Sequence, residues 1–114
     1  MPTDPRDADR VFDVLSHRHR RRLLVVLAEQ PGEDSLIALA PLSERIATES
    51  APDRVRLQLV HCHLPKLAET GYVRWDRDAG TVAKGPEWAV VEPFVRVLTD
   101  PTTGASTADR KRSY

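Results

Sequence analysis

Ala8, Val11, Phe12 and Leu15 recur at i, i+3, i+4 and i+7 behind an Asp4-Pro5 pair that supplies an N-cap and a proline at the first helical position. This spacing predicts an amphipathic helix over residues 5 to 15. Ser16 is placed to cap a second helix whose opening is basic and whose later part, Leu23 to Ala28, is almost wholly apolar, with Pro31-Gly32 ending it. The apolar run Ser35-Leu36-Ile37-Ala38-Leu39, bounded by turn signals, reads as a buried strand or a helical lead-in, with the strand preferred. Pro41 is placed to open a third helix with Leu42, Ile46 and Ala47 on one face, and Ser50-Ala51-Pro52 supplies a turn and a new start. From there Val60, Leu64 and Leu67 mark the inner face of a longer helix ending near Gly71.

Two β-prone runs, Tyr72 to Asp76 and Thr81 to Lys84, flank Arg77-Asp78-Ala79-Gly80, where glycine suits the positive φ of a hairpin loop. Pro86 opens a last segment in which Trp88, Val91, Val95 and Leu98 fall at helical spacing, although Pro93 is expected to kink it or divide it. The expected fold is therefore mainly α with a small β-hairpin: a winged helix-turn-helix with an extra C-terminal helix, in one domain over residues 1–100. Residues 101–114 are small and polar and read as a disordered tail.

Composition narrows the function classes. A chain of 114 residues holds one modest core, and 5% aromatics foresee no large aromatic pocket. Cys62 is the only cysteine, which excludes an intrachain disulfide and fits a reducing, cytoplasmic setting. The polar N-terminus is unlike an export leader, and no apolar run approaches the ~20 residues of a membrane span. The 17 basic and 17 acidic side chains cancel, so bulk charge announces no polyanion partner. Charge is nevertheless segregated: Arg18, Arg20, Arg21 and Arg22 follow a segment holding Asp4, Asp7, Asp9 and Asp13. Ion pairing between these two groups is the preferred reading of the arginines, with contact to DNA as the alternative.

The stretch Val60-His61-Cys62-His63-Leu64-Pro65-Lys66-Leu67-Ala68-Glu69-Thr70-Gly71-Tyr72-Val73 resembles the end of a recognition helix running into the wing in winged-helix regulators of the ArsR-like kind. Within that group the chain resembles a small archaeal winged-helix family, abundant in halophiles, whose members carry an HLPKL segment. Val11 to Ser16 followed by Arg20 to Leu24 is similar to that family's opening, and Leu42-Ser43-Glu44-Arg45-Ile46-Ala47 to its first HTH helix. The resemblance covers about residues 9 to 84 and implies a DNA-binding transcriptional regulator. Halophile members of the group tend to be strongly acidic; this chain is neutral, which favours a polyanion partner.

In such a fold the helix from Pro52 to Thr70 enters the major groove of double-stranded DNA. With Val60, Leu64 and Leu67 inward, Arg54, Gln58, His61 and Pro65 fall on or near the outward face. Arginine suits the N7 and O6 of guanine and glutamine the N6 and N7 of adenine, so Arg54 and Gln58 are the candidate base readers. Arg56, His61 and Lys66 are assigned to phosphates, and Arg74, Arg77 and Lys84 of the wing to the flanking groove. Each also has the plain reading of a solvated surface residue. The stripe Trp88, Val91, Phe94, Val95 and Leu98 is the candidate homodimer surface, with packing onto the first helix of its own chain as the alternative.

His61-Cys62-His63 invites a metal reading, but adjacent helical residues diverge by ~100°, His61 has no ligand partner at i+4, and His17 and His19 are far away in sequence. No metal or other cofactor is expected, and His63 reads as a partly buried, hydrogen-bonded residue. No glycine-rich phosphate loop, catalytic triad or paired carboxylates stand out, so an enzyme is not expected. The reading from a different class is a winged-helix protein-interaction module that has lost DNA contact.

Overall fold

A computed structural model describes residues 5–99 except Glu33 and Ser50. The expected cap at Asp4 and the expected polar tail from residue 101 lie outside the described residues. The elements are α1 (Pro5–Leu15), α2 (Arg18–Ala28), β1 (Ile37–Ala38), α3 (Leu39–Ile46), α4 (Pro52–Gln58), a π turn (Leu59–His63), α5 (Leu64–Thr70), β2 (Val73–Asp76), β3 (Thr81–Lys84) and α6 (Trp88–Thr99). The protein is mainly helical with one small antiparallel sheet.

The sheet order is β1-β3-β2. β2 and β3 form the hairpin, with Val73 opposite Lys84 and Asp76 opposite Thr81. Its loop closes through Gly80 N–H donating to the Asp76 carbonyl at 2.8 Å, with Gly80 at φ 67°, where a side chain would be strained. The run around Ile37 is both of its expected alternatives in succession. Ile37 and Ala38 pair with Val82 and Thr81 as a third strand, and Leu39 already begins α3. Pro41 thus sits in the first turn of α3 instead of opening it, where its missing N–H costs no helical bond. Gly85 lets the chain leave the hairpin tightly: a Cβ there would stand 2.3 Å from the Gly71 carbonyl oxygen.

The core is one cluster built from Val11 and Val14 of α1, Leu23, Leu24 and Leu27 of α2, Leu42 and Ile46 of α3, and Val55, Leu59, Leu64 and Leu67 along the Pro52–Thr70 segment. Tyr72, Val82, Trp88, Val91 and Val95 complete it. Two details of the expected stripes are corrected. Phe12 is 60% exposed, because Val11 and Val14 are the residues of α1 that turn inward. His17, not Ser16, caps α2: its Nδ1 accepts the His19 N–H at 3.1 Å, while the Ser16 hydroxyl turns back to the Asp13 carbonyl.

The Pro52–Thr70 segment is one helical rod, but not a uniform α-helix. Pro65 has no N–H for the carbonyl four residues back, and its ring would collide with it. The rod widens into the π turn immediately before, and Leu64 N–H donates to the Leu59 carbonyl five residues earlier. This also settles the inner face. Leu59 and Leu64, five apart, would diverge by about 140° in a regular α-helix, yet the wide turn buries both completely. Val60, expected inward, is consequently only half-buried. Pro93 does not divide α6 into pieces: it lies inside one continuous helix and removes one bond, to the carbonyl of exposed Ala89, while Val91 and Val95 hold the helix to the core.

Candidate nucleic-acid interface

α3 packs against α4, the start of the rod. Val55 and Leu59 anchor it, whereas Asp53, Arg54, Arg56, Leu57 and Gln58 are all exposed. Pro52 at the first helical position and Asp53 in the first turn start the helix without a side-chain cap. Arg54 and Arg56 have no ion-pair or hydrogen-bond partner among the described residues. One turn further on, His61 and Cys62 are exposed as well.

Not every expected contact residue joins this surface. Lys66 turns to α1 and pairs with Asp13 at 2.5 Å, and that bond to the ammonium holds the Asp13 carboxyl below its ordinary pKa. Gln58 is exposed, with its side chain beside the His19 ring of α2. On the hairpin Arg74 and Arg77 are exposed, and the Arg77 guanidinium lies 4.5 Å from the centre of the Trp75 ring, which holds its stem in place. Arg74 and Lys84 line a shallow groove with Trp88 and Glu92. Of the expected dimer stripe, Trp88, Val91 and Val95 are buried in their own chain's core, where α6 packs on α2 and α1. They are withdrawn from any partner. Phe94 and Leu98 remain at the surface, and Phe94 meets Phe12 edge-on at 5.9 Å.

The basic start of α2 has a role that neither expected reading contained. Arg20, only 9% exposed, donates from Nε to the Val14 carbonyl at 2.8 Å and from Nη2 to the Asp13 carbonyl at 3.1 Å. Arg21 donates to the Leu15 carbonyl at 2.6 Å, and Arg22 to the Ile46 carbonyl at 3.1 Å. The last carbonyls of α1 and α3 lack helical partners, and cations there also answer the helix dipole. The arginines are therefore helix-end clamps. Of the four arginines at the start of α2, only Arg18 makes an ion pair among the described residues, and its partner is Glu49, not an acid of α1.

Arg20 also reaches His63, donating from Nη1 to Nδ1 at 3.1 Å. His63 is buried and hydrogen-bonded, as expected. The argument that His17 and His19 are too distant to join it is overturned. The cap of α2 and the π turn meet, so that the rings of His17 and His63 stand 4.3 Å apart, those of His17 and His19 5.1 Å, and those of His19 and His63 5.8 Å. Burial, then the charges of neighbouring rings and arginines, disfavours protonation of all three and takes His63 down to about 4. No local spacing signals this convergence; only the packing of α2 against the π turn creates it.

Residues 12–83 match a family described as a domain of unknown function (DUF7344). The chain belongs to that family. The matched region takes in α2, the rod and nearly all of the hairpin, and with them all three histidines and the helix-end arginines; α6 lies beyond it. No curated protein and no solved structure matches the chain. No helix among the described residues is long and apolar enough to cross a membrane.

Proposed function

We propose that this chain is a cytoplasmic, sequence-specific DNA-binding transcriptional regulator of the winged helix-turn-helix type. In this reading α3 and the rod are the helix-turn-helix, the start of the rod enters the major groove, and the β2–β3 hairpin is the wing. The observation that carries it is the pair of exposed guanidinium groups, Arg54 and Arg56, without partners among the described residues, on a rod end anchored by buried Val55 and Leu59. Arg54 and the exposed Gln58 read base edges. Arg56 and His61 meet phosphates, and Arg74 and Arg77 extend the contact along the flank. Lys66 belongs to the α1 contact and is left out of the set.

A single copy makes few phosphate contacts, so the regulator acts as a homodimer. The dimer forms through the apolar remainder of α6, Phe94, Val97 and Leu98, together with Phe12 of α1; Val97 and Leu98 are 54% and 43% exposed. The test is a mobility-shift series over random duplexes. Competition-resistant binding that falls steeply with salt supports the reading, and the absence of any shift at low salt overturns it.

One observation favours a second reading. Leu57 is 60% exposed between Arg56 and Gln58, in the middle of the surface offered to DNA. A protein-interaction module would use that leucine as an apolar anchor, and it is the outcome that a failed mobility shift would leave standing.

A further inference from the structure

Three imidazoles that the DNA reading leaves unused converge where the cap of α2 meets the π turn. His17, His19 and His63 each offer one ring nitrogen, and these atoms lie within 4.8 Å of one another. We propose that they form a binding site for a divalent transition-metal ion of the zinc, cobalt and nickel class.

Ligand chemistry supports this class, because imidazole nitrogen is a donor such ions prefer, and three of them converge here. The second support is a buried polar atom without a partner: among the described residues, nothing bonds His19 Nδ1. A buried nitrogen is rarely left so, and a bound ion is one of the few things that answers it. The Gln58 side chain lies beside the same ring, placed to supply the outer hydrogen bond that orients a metal-bound imidazole. Zinc–nitrogen bonds of ~2.0 Å place tetrahedral ligands about 3.3 Å apart. The three nitrogens need to close by ~1.5 Å at most, within the reach of side-chain rotation. His17 is only half-buried, which gives the ion an entry path and leaves a fourth position for water.

Two bonds compete with the ion. His17 Nδ1 holds the His19 N–H, and His63 Nδ1 holds a hydrogen of Arg20. In the uncharged rings this places the proton on Nε2. Metal binding either takes the Nδ1 lone pair itself or moves the ring proton to Nδ1, and both routes release the donor now seated there. Arg20 keeps the Val14 and Asp13 carbonyls and the Ser16 hydroxyl. The Arg20 charge also opposes a dication, so binding is reversible and weaker than at a closed four-ligand zinc site.

The test needs no DNA, so its outcome is separable from the proposed function. The chelator-treated full chain is titrated with Co²⁺ and followed by visible absorption, then challenged with Zn²⁺. The expected result is one ion per chain with a Kd below ~100 μM, the intense bands of four-coordinate cobalt, and displacement by zinc. His17→Ala, at the half-exposed position, lowers affinity at least tenfold, while His61→Ala and Cys62→Ser leave it unchanged. Circular dichroism confirms that each variant is folded. No saturable binding, or binding that His61→Ala or Cys62→Ser removes while His17→Ala leaves it intact, overturns the site.

Discussion

The two arginine groups of this chain look alike in sequence and behave oppositely in the fold. Arg20, Arg21 and Arg22 are half-buried or buried and spend their donors on the free carbonyls that end α1 and α3. Arg54 and Arg56 stand on an exposed helix start with no partner among the described residues. A dense run of arginine is thus no mark of a ligand surface. What separates the groups is whether unsatisfied main-chain acceptors lie within reach, because a guanidinium fork that finds fixed carbonyls becomes part of the scaffold.

The largest test of this contrast removes the best-connected clamp. Arg20→Ala leaves the Val14 carbonyl and His63 without their donor and takes one of several donors from the Asp13 carbonyl, and is expected to lower stability by about 3 kcal/mol in urea denaturation. Loss within error of zero would show that Arg20 is no clamp. Acid strikes the same region next. His63 has its pKa depressed to about 4 from 6.5, so its contribution is complete above pH 6.5 and is lost as pH falls towards 4. Protonated His63 can no longer accept from Arg20 and instead faces it as a like charge. Stability of the metal-free chain should fall by about 2 kcal/mol between neutral pH and roughly pH 4.5, and His63→Gln should flatten the profile. An unchanged wild-type profile would break the prediction.

In the second group the same substitution reverses its readout. Arg54→Ala is expected to leave stability within about 0.5 kcal/mol of wild type but to cost at least ~tenfold in affinity for a selected duplex. Equal affinity, measured by fluorescence anisotropy, would remove Arg54 from the reading. The smallest effect belongs to Lys66. Lys66→Gln should leave DNA affinity unchanged and let the Asp13 carboxyl rise towards its ordinary pKa in an NMR titration. A loss of affinity would return Lys66 to the interface.

The element order was legible because it is written locally. Apolar spacing marked each helix, Gly80 the hairpin loop, and Pro52 the start of the rod. The exposure of Arg54, Gln58 and His61 followed from the same helical geometry. Phe12 and Val60 were misplaced because several rotations of a short helix satisfy one stripe, and only the neighbours choose among them. The π turn was missed although its cause, Pro65, stands in the sequence; a proline announces a lost bond but not how the helix absorbs it.

By itself the order of residues determined where helices and strands begin and turn, since those choices rest on backbone conformations a few residues long. Tertiary structure alone decided that Arg20 reaches His63, that Trp88, Val91 and Val95 belong to their own core, and that His63 joins two histidines from the start of α2. These pairings join residues far apart along the chain: 43 positions separate Arg20 from His63. Contacts of that separation form only when several apolar faces are buried at once, so no short window of residues contains them.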